Sequence, residues 1–205
     1  MRHGRFFYAM TQPESIIGLL LAGGKGTRMG GQDKGLMPWC GQAMAEWVLH
    51  ALKAVTPTVC ISANRSLETY EHLAPGHILQ DPQHLQGQGP LAGLLTGLKT
   101  AHTLGARAVL VCPCDTPGIT PDTLSALVTA WKTQPDRPAI AEHNGRLHPL
   151  HGVYPVALMD QLEQWLASDN RRVMGFAKSV AAVAVDCPET GEVFANRNNL
   201  QDLEH

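Results

Sequence analysis

The sequence has few cysteines and no cysteine motif. Five cysteines are scattered through 205 residues, and no two CxxC pairs are present. A disulfide scaffold needs an even set at framework spacing and a zinc knuckle needs paired CxxC motifs, so neither is expected. We therefore predict reduced thiols and a cytoplasmic protein.

An excess of charge and a long apolar run are also missing. Sixteen Lys and Arg face 18 Asp and Glu, for a net charge of -2. This balance excludes the broad basic surface that binds a nucleic-acid backbone. No apolar run approaches the roughly 18 residues that cross a bilayer. We expect neither nucleic acid nor a membrane as a partner.

The composition is that of an ordinary globular protein, with 44% apolar and 17% charged residues. The short apolar stretch 6–10 is interrupted by polar residues before a signal-peptide core can form. We predict a loose extension over residues 1–14 and a single domain over 15–205.

Short apolar runs alternate with segments of helical periodicity. The helix that begins near Thr120 has a capping hydroxyl followed by proline at the first helical position. Alternating strands and helices imply crossover connections. We predict an α/β, three-layer, Rossmann-like fold whose mostly parallel sheet carries helices on both faces. Strands are predicted at 16–21, 59–62, 108–112, 138–142, 148–154 and 180–185, and helices at about 44–55, 91–98, 120–131 and 156–166.

A glycine-rich, basic segment follows the first predicted strand. It spans residues 21–36 and contains Lys25, Arg28 and Lys34 among several glycines. Glycines let backbone N–H groups approach phosphate oxygens closely, and the cations add charge at the same edge of the sheet. This composition favours a triphosphate site over a plain glycine turn with surface cations. It matches neither the P-loop nor the dinucleotide fingerprint, because Gly-Lys is never followed by Ser or Thr and the third glycine is missing.

Asp115 follows the buried strand predicted at 108–112, at the same edge of the sheet. A carboxylate beside a triphosphate site is a suitable Mg²⁺ ligand, because Mg²⁺ commonly takes one or two carboxylates plus phosphate oxygens and waters. The alternative is an aspartate that starts the turn before Pro117. Cys112 and Cys114 are interpreted as small packing residues.

The run Leu21-Ala22-Gly23-Gly24-Lys25 and the later Asp33-Lys34 pair resemble the signature of nucleotidyltransferases with a GT-A-like fold. Within that group the sequence most resembles the molybdenum cofactor guanylyltransferase (MobA) family. Sugar-phosphate nucleotidyltransferases usually carry Leu-Ala-Ala-Gly instead. Further matching segments are Ala63-Asn64-Arg65, Asp81, Gly89-Pro90-Leu91-Ala92-Gly93, Cys112 to Pro117, Arg171-Arg172-Val173-Met174 and Asn196-Arg197-Asn198.

This resemblance implies a nucleotide-diphospho-sugar transferase-like fold and an Mg²⁺-dependent enzyme. The implied reaction transfers GMP from GTP to the terminal phosphate of molybdopterin and releases pyrophosphate. The implied catalytic residues are Lys34, Arg28 and Asp115, with Asp115 as the Mg²⁺ ligand. The implied nucleotide-binding residues are Leu21, Ala22, Gly23, Gly24, Lys25, Lys34, Asn64, Asp81 and Asp115, and those on the pterin side are Asn196, Asn198, Arg171 and Arg172.

Several alternatives stay open at this point. The same loop would suit a cytidylyltransferase acting on molybdopterin, or another small-phosphate nucleotidyltransferase. A non-catalytic GTP-binding assembly factor would keep the phosphate site without turnover. Other cofactor-biosynthesis proteins and target molybdoenzymes are the expected protein partners. His148 also matches the family pattern, but ten dispersed histidines single out none as catalytic.

Overall fold

A seven-stranded sheet forms the middle layer of the protein. The computed structural model describes residues 15–23, 33–188 and 192–197. The strands in these ranges are β1 (Ile16–Leu21), β2 (Pro38–Trp39), β3 (Gln42–Ala43), β4 (Val59–Ser62), β5 (Ile78–Leu79), β6 (Ala108–Pro113), β7 (Ala139–His143), β8 (Arg146–Pro155) and β9 (Val183–Asp186). The large sheet has the order β5-β4-β1-β6-β8-β7-β9, and β2 pairs with β3 in a separate hairpin. Only β8 runs against the other six strands of the large sheet.

Helices cover both faces of this sheet. They are α1 (Met44–Val55), α2 (Leu67–Leu73), α3 (Pro90–Thr103), α4 (Pro121–Thr133), α5 (Met159–Ala167) and α6 (Val173–Ser179), with short 3-10 helices at Lys34–Leu36, Gln83–Leu85 and Val156–Leu158. Buried residues of α1, α2 and α4 belong to the same apolar cluster as Leu20 of β1, whereas those of α3, α5 and α6 belong to a second cluster that contains Leu19. Both faces of β1 are therefore covered, which explains its uninterrupted apolar sequence.

Two glycines bring α3 close to the sheet. A Cβ added at Gly93 would lie 2.6 Å from Ser62 Oγ, and one at Gly97 would lie 2.5 Å from a methyl carbon of Leu19. Larger residues at these two positions would push the helix away from β1 and β4. The close packing places the first turn of α3 beside the carboxyl ends of those strands.

A bulge in β8 shapes the same edge of the sheet on the side of β6 and β7. Gly152 lies opposite Ile140, but the next residue of β7, Ala141, pairs with His148. Residues 149–151 are thus extra on β8, and bulges of this kind turn side chains away from their normal direction. His151 lies in this bulge.

The α/β three-layer prediction is confirmed, and all six predicted strands and four predicted helices exist: β1, β4 and α1 have the predicted bounds, and the ends of the others are shifted. Thr120 caps α4 as expected, accepting from the Thr123 N–H. The sequence interpretation missed β2, β3, β5, α2 and α6. It also missed the β7–β8 hairpin, whose Asn144-Gly145 turn has φ angles of 51° and 74°.

Residues 1–14, predicted to be a loose extension, lie outside the described ranges. The single domain over 15–205 stays a prediction. Within the part of the chain that the structure covers, no helix has the length and apolar character needed to cross a membrane.

Candidate active site

The carboxyl ends of the parallel strands meet at one edge of the sheet and carry most of the predicted site residues. Gly23 follows β1, Asn64 follows β4, Asp81 follows β5 and Asp115 follows β6. Because β8 is antiparallel, its first residues, beginning with Arg146, lie at this same edge. The arrangement is the usual place for ligands in open α/β sheets.

Lys34 lies at the centre of this edge. Its ammonium Nζ donates to Asp115 Oδ2 at 2.6 Å and to Asn196 Oδ1 at 2.9 Å. The backbone N–H of Arg197 donates to the Asp115 carbonyl at 2.9 Å, which fixes the segment that carries Asn196. The Lys34 and Asp115 side chains are 21% and 19% exposed, so the ion pair is accessible to a ligand. Three residues predicted separately from the sequence therefore come together.

A cavity of about 420 Å³ lies on the β4 and β5 side of this centre. Asn64 and Asp81 are linked in it by two hydrogen bonds: Asn64 Nδ2 donates to Asp81 Oδ2 at 2.8 Å, and Asp81 N donates to Asn64 Oδ1 at 2.9 Å. Thr96 donates to Asp81 Oδ1 at 2.9 Å. Each carboxylate oxygen accepts one of these bonds and keeps capacity for another. The cavity is lined by Leu21, Gly23, Ser62, Asn64, Arg65, Asp81, Gln86, Gly87, Gly89, Pro90 and Gly93.

The residues at the end of β1 and just after it make some of their backbone hydrogen bonds within the protein. The Leu21 carbonyl accepts from Cys114 N at 3.0 Å, and Ala22 N donates to the Ser62 carbonyl at 2.9 Å. A Cβ added at Gly23 would have Asn64 Nδ2, 3.8 Å away, as its nearest described neighbour. The glycine is thus not demanded by packing among the described residues, and its small size leaves room in the cavity.

A second cavity of about 550 Å³ lies on the β6 and β8 side. Asp115, Thr116 and Asn196 supply polar groups, whereas the bulged part of β8 and Phe194 supply apolar walls. The His148 ring stacks on Phe194 with centroids 4.5 Å apart and planes inclined by 23°. The full lining is Pro113, Asp115, Thr116, Arg146, Leu147, His148, Pro149, Leu150, His151, Val173, Phe194, Ala195 and Asn196.

The histidines of this cavity are poor proton carriers at neutral pH. Burial lowers the pKa of His151 to about 3, and its Nε2 lies 2.8 Å from Thr116 Oγ1. Burial, together with the nearby Arg146 and His143, also lowers the pKa of His148. Both rings are therefore neutral in the usual working range of an enzyme, so they shape the cavity rather than donate charge.

The predicted arginines do not line the second cavity. Arg171 Nη1 donates to the Leu166 carbonyl at 2.8 Å, and its Nη2 pairs with Asp169 at 2.8 Å, so the guanidinium binds the C-terminal end of α5. Arg172 is exposed just before α6. Their contact with a substrate phosphate stays a prediction. Gly24, Lys25, Arg28 and Asn198 lie outside the described residues.

Other residues of the site escaped the sequence interpretation. Phe194 and the bulge of β8 carry no motif, because a single aromatic residue in a polar loop gives no periodic signal. The buried Asp33, which directly precedes Lys34, was missed as well, because its hydrogen bonds produce no pattern in the sequence. His148 was noticed only through the family pattern.

A divalent cation fits the chemistry of this edge. Asp115 presents one carboxylate at the rim of the second cavity, which is enough for Mg²⁺ when substrate phosphates and water supply the remaining ligands. Within the described ranges no three His, Cys, Asp or Glu side chains cluster as a complete metal site. The residues therefore suit a metal that arrives with a phosphate ligand.

The mostly parallel sheet carries a lysine–aspartate pair between two cavities at its carboxyl edge, where open α/β sheets bind their ligands. Residues 18–189 match the family model described as the MobA-like NTP transferase domain. The chain belongs to this family.

Curated relatives cover most of the chain. It is 38% identical to the molybdenum cofactor guanylyltransferase of Cereibacter sphaeroides, over 92% of this chain and 93% of the relative. It is 35% identical to the protein of the same name from Ectopseudomonas mendocina, over 90% and 88% of the two chains. The fold is similar to that of molybdopterin-guanine dinucleotide biosynthesis protein A from Archaeoglobus fulgidus, with a TM-score of 0.73, 22% identity and coverage of 92% and 95%.

Proposed function

We propose that this protein transfers GMP from GTP to the terminal phosphate of molybdopterin, which yields molybdopterin guanine dinucleotide and pyrophosphate. The observation that carries this proposal is the Lys34–Asp115 pair between a cavity on the β4 side and a second cavity on the β8 side. A reaction that joins two substrates at one cation needs a binding cavity on each side of that cation. The names of the curated relatives supply the identity of both substrates.

The first cavity suits the guanine base. Guanine offers an acceptor at O6 and donors at N1 and N2, so its recognition requires both an N–H group and an acceptor. The Asp81 carboxylate retains acceptor capacity for the donors, and Asn64 fixes its orientation. Leu21 O and Ala22 N each make one hydrogen bond within the protein, so the carbonyl oxygens of Leu21 and Ala22 and the backbone of Gly23 supply the contacts of this segment to the nucleotide.

The second cavity suits the pterin. Asn196, already predicted on the pterin side, lines it together with the stacked His148 and Phe194 rings. A flat heteroaromatic ring gains from apolar and aromatic walls, and the amide supplies a directed hydrogen bond. Asn198 belongs to the same motif. Arg172, which is exposed, would bind the acceptor phosphate independently, and Arg171 would do so with guanidinium N–H groups not engaged at the end of α5.

The chemistry requires charge neutralisation rather than a general base. An oxygen of the acceptor phosphate attacks the α-phosphorus of GTP in line, the bond to the bridging oxygen of the β-phosphate breaks, and pyrophosphate leaves. The nucleophile is already ionised at neutral pH, so the protein contributes positioning and electrostatic stabilisation. Lys34 stabilises the charge at the α-phosphorus, and Lys25 and Arg28 hold the β- and γ-phosphates. Mg²⁺ held by Asp115 would add positive charge at the triphosphate.

The decisive test is pyrophosphate release on mixing the protein with Mg²⁺, GTP and molybdopterin without oxygen. We expect release with GTP and much less with CTP, ATP or UTP, with the dinucleotide identified by mass spectrometry. Preference for CTP would make the protein a cytidylyltransferase instead. Tight GTP binding without any pyrophosphate would favour the assembly factor, and either result would overturn the proposal.

Replacing Asp81 by asparagine is expected to weaken GTP binding about tenfold, because an amide cannot replace two charged acceptors for the guanine N1 and N2 donors. Calorimetry with GTP and ITP checks this, since ITP lacks the N2 amino group. The wild-type protein should bind GTP more tightly than ITP, and Asp81→Asn should lose most of that preference. Equal losses for both nucleotides would remove Asp81 from recognition of the N2 amino group.

A further inference from the structure

A buried carboxylate fixes the backbone on both sides of Lys34. Asp33 is 9% exposed and caps the 3-10 helix that Lys34 begins. Its Oδ1 accepts from the backbone N–H of Gly35 at 3.2 Å. The residue before Lys34 thus binds the residue after it, which restricts the backbone from which the Lys34 side chain extends.

Tyr70 of α2 holds the same oxygen. Its hydroxyl donates to Asp33 Oδ1 at 2.7 Å, and the side chain is fully buried. A Cβ added at Gly35 would lie 2.5 Å from the Tyr70 oxygen and 3.2 Å from Cys114. The segment therefore packs directly against the phenol, and a residue with a side chain would not fit at position 35. Burial raises the pKa of Tyr70 well above its ordinary value, so the hydroxyl stays a donor.

Arg65 balances the charge of this carboxylate. Its Nε lies 3.4 Å from Asp33 Oδ2. Arg65 also lines the cavity proposed for guanine, directly after Asn64. The neighbouring Lys34 ammonium contacts Asp115 and Asn196 instead.

We propose that Asp33 and Tyr70 are positioning residues that direct the Lys34 ammonium towards the reacting phosphate. This inference rests on the proposed guanylyl transfer, in which Lys34 acts at the α-phosphorus. Neither residue contacts the substrate in this proposal, and both act through the Lys34 backbone. Small displacements of a catalytic group cost rate rather than binding, because the group contributes most in the transition state.

Tyr70→Phe removes one hydroxyl and keeps the packing of the ring. We expect kcat to fall about tenfold while KM for GTP changes less than about twofold. The matched control is Thr56→Val, which also deletes a buried hydroxyl with one hydrogen bond, here to Leu52 at the opposite end of the strands. This control should lose similar thermal stability and keep its kcat. Equal kcat in wild type and Tyr70→Phe would overturn the inference.

A double-mutant cycle separates positioning from a general structural effect. If Tyr70 acts through Lys34, Tyr70→Phe should cost nothing further in a Lys34→Ala background, whereas independent effects would multiply. Multiplying effects would overturn the inference. Wild-type pyrophosphate release is measured first, because its absence counts against the proposed function and not against this positioning.

Asp33 supplies a second variant if Tyr70→Phe fails to fold. Asp33→Asn keeps an oxygen that accepts from Tyr70 and Gly35, and Asp33→Ala removes it. We expect Asp33→Asn to retain at least about tenfold more kcat per folded molecule than Asp33→Ala. Losses equal in the two variants, or absent from both, would contradict the inference.

Discussion

Lys34→Ala is expected to lower kcat for guanylyl transfer by about two to three orders of magnitude. The ammonium is bound to Asp115 and Asn196, which line the second cavity, and the proposed reaction increases negative charge at that point. Because this contact matters most in the transition state, the affinity for GTP should change far less than kcat. Steady-state pyrophosphate release gives kcat, and calorimetry gives the GTP affinity.

Lys99 provides the matched control. Its ammonium also forms a 2.6 Å ion pair, with Glu163, but it joins α3 to α5 in the outer layer and is 44% exposed. Lys99→Ala should therefore keep the wild-type kcat, since exposed ion pairs contribute little even to stability. If Lys34→Ala also kept kcat within a few-fold, Lys34 would have no role in the chemistry.

The sequence predicted the framework of the fold because its signals are local. The buried run of β1 and the capping hydroxyl of Thr120 each follow from a few adjacent residues. The Asn144-Gly145 pair is an equally local signal for a hairpin turn, but it was missed. The sequence interpretation therefore expected a crossover connection where β7 and β8 form an antiparallel hairpin. The short α2 and β5 are different, because seven and two residues are too few to show periodicity.

The site was predictable only in part. Asp115 could be inferred from its place after a buried strand, whereas Asn64 and Asp81 depended on the family resemblance, since either residue alone indicates only a turn. The reciprocal hydrogen bonds between them join positions 17 residues apart and leave no trace in the sequence. The contact between Tyr70 and Asp33 across 37 residues is of the same kind.

Asp115→Asn should lower kcat by about two to three orders of magnitude and raise the Mg²⁺ concentration needed for half-maximal rate. The substitution keeps the size of the side chain but removes the charge that binds a hard cation, and it also turns the ion pair with the Lys34 ammonium into a weaker hydrogen bond to a neutral oxygen. A titration of Mg²⁺ at fixed GTP and molybdopterin measures both effects. Asp122→Asn, which alters an exposed carboxylate in the first turn of α4, is the control and should match the wild-type titration. A variant at Asp115 with reduced kcat but an unchanged Mg²⁺ requirement would assign the carboxylate to holding Lys34 alone, and the metal would then need another ligand.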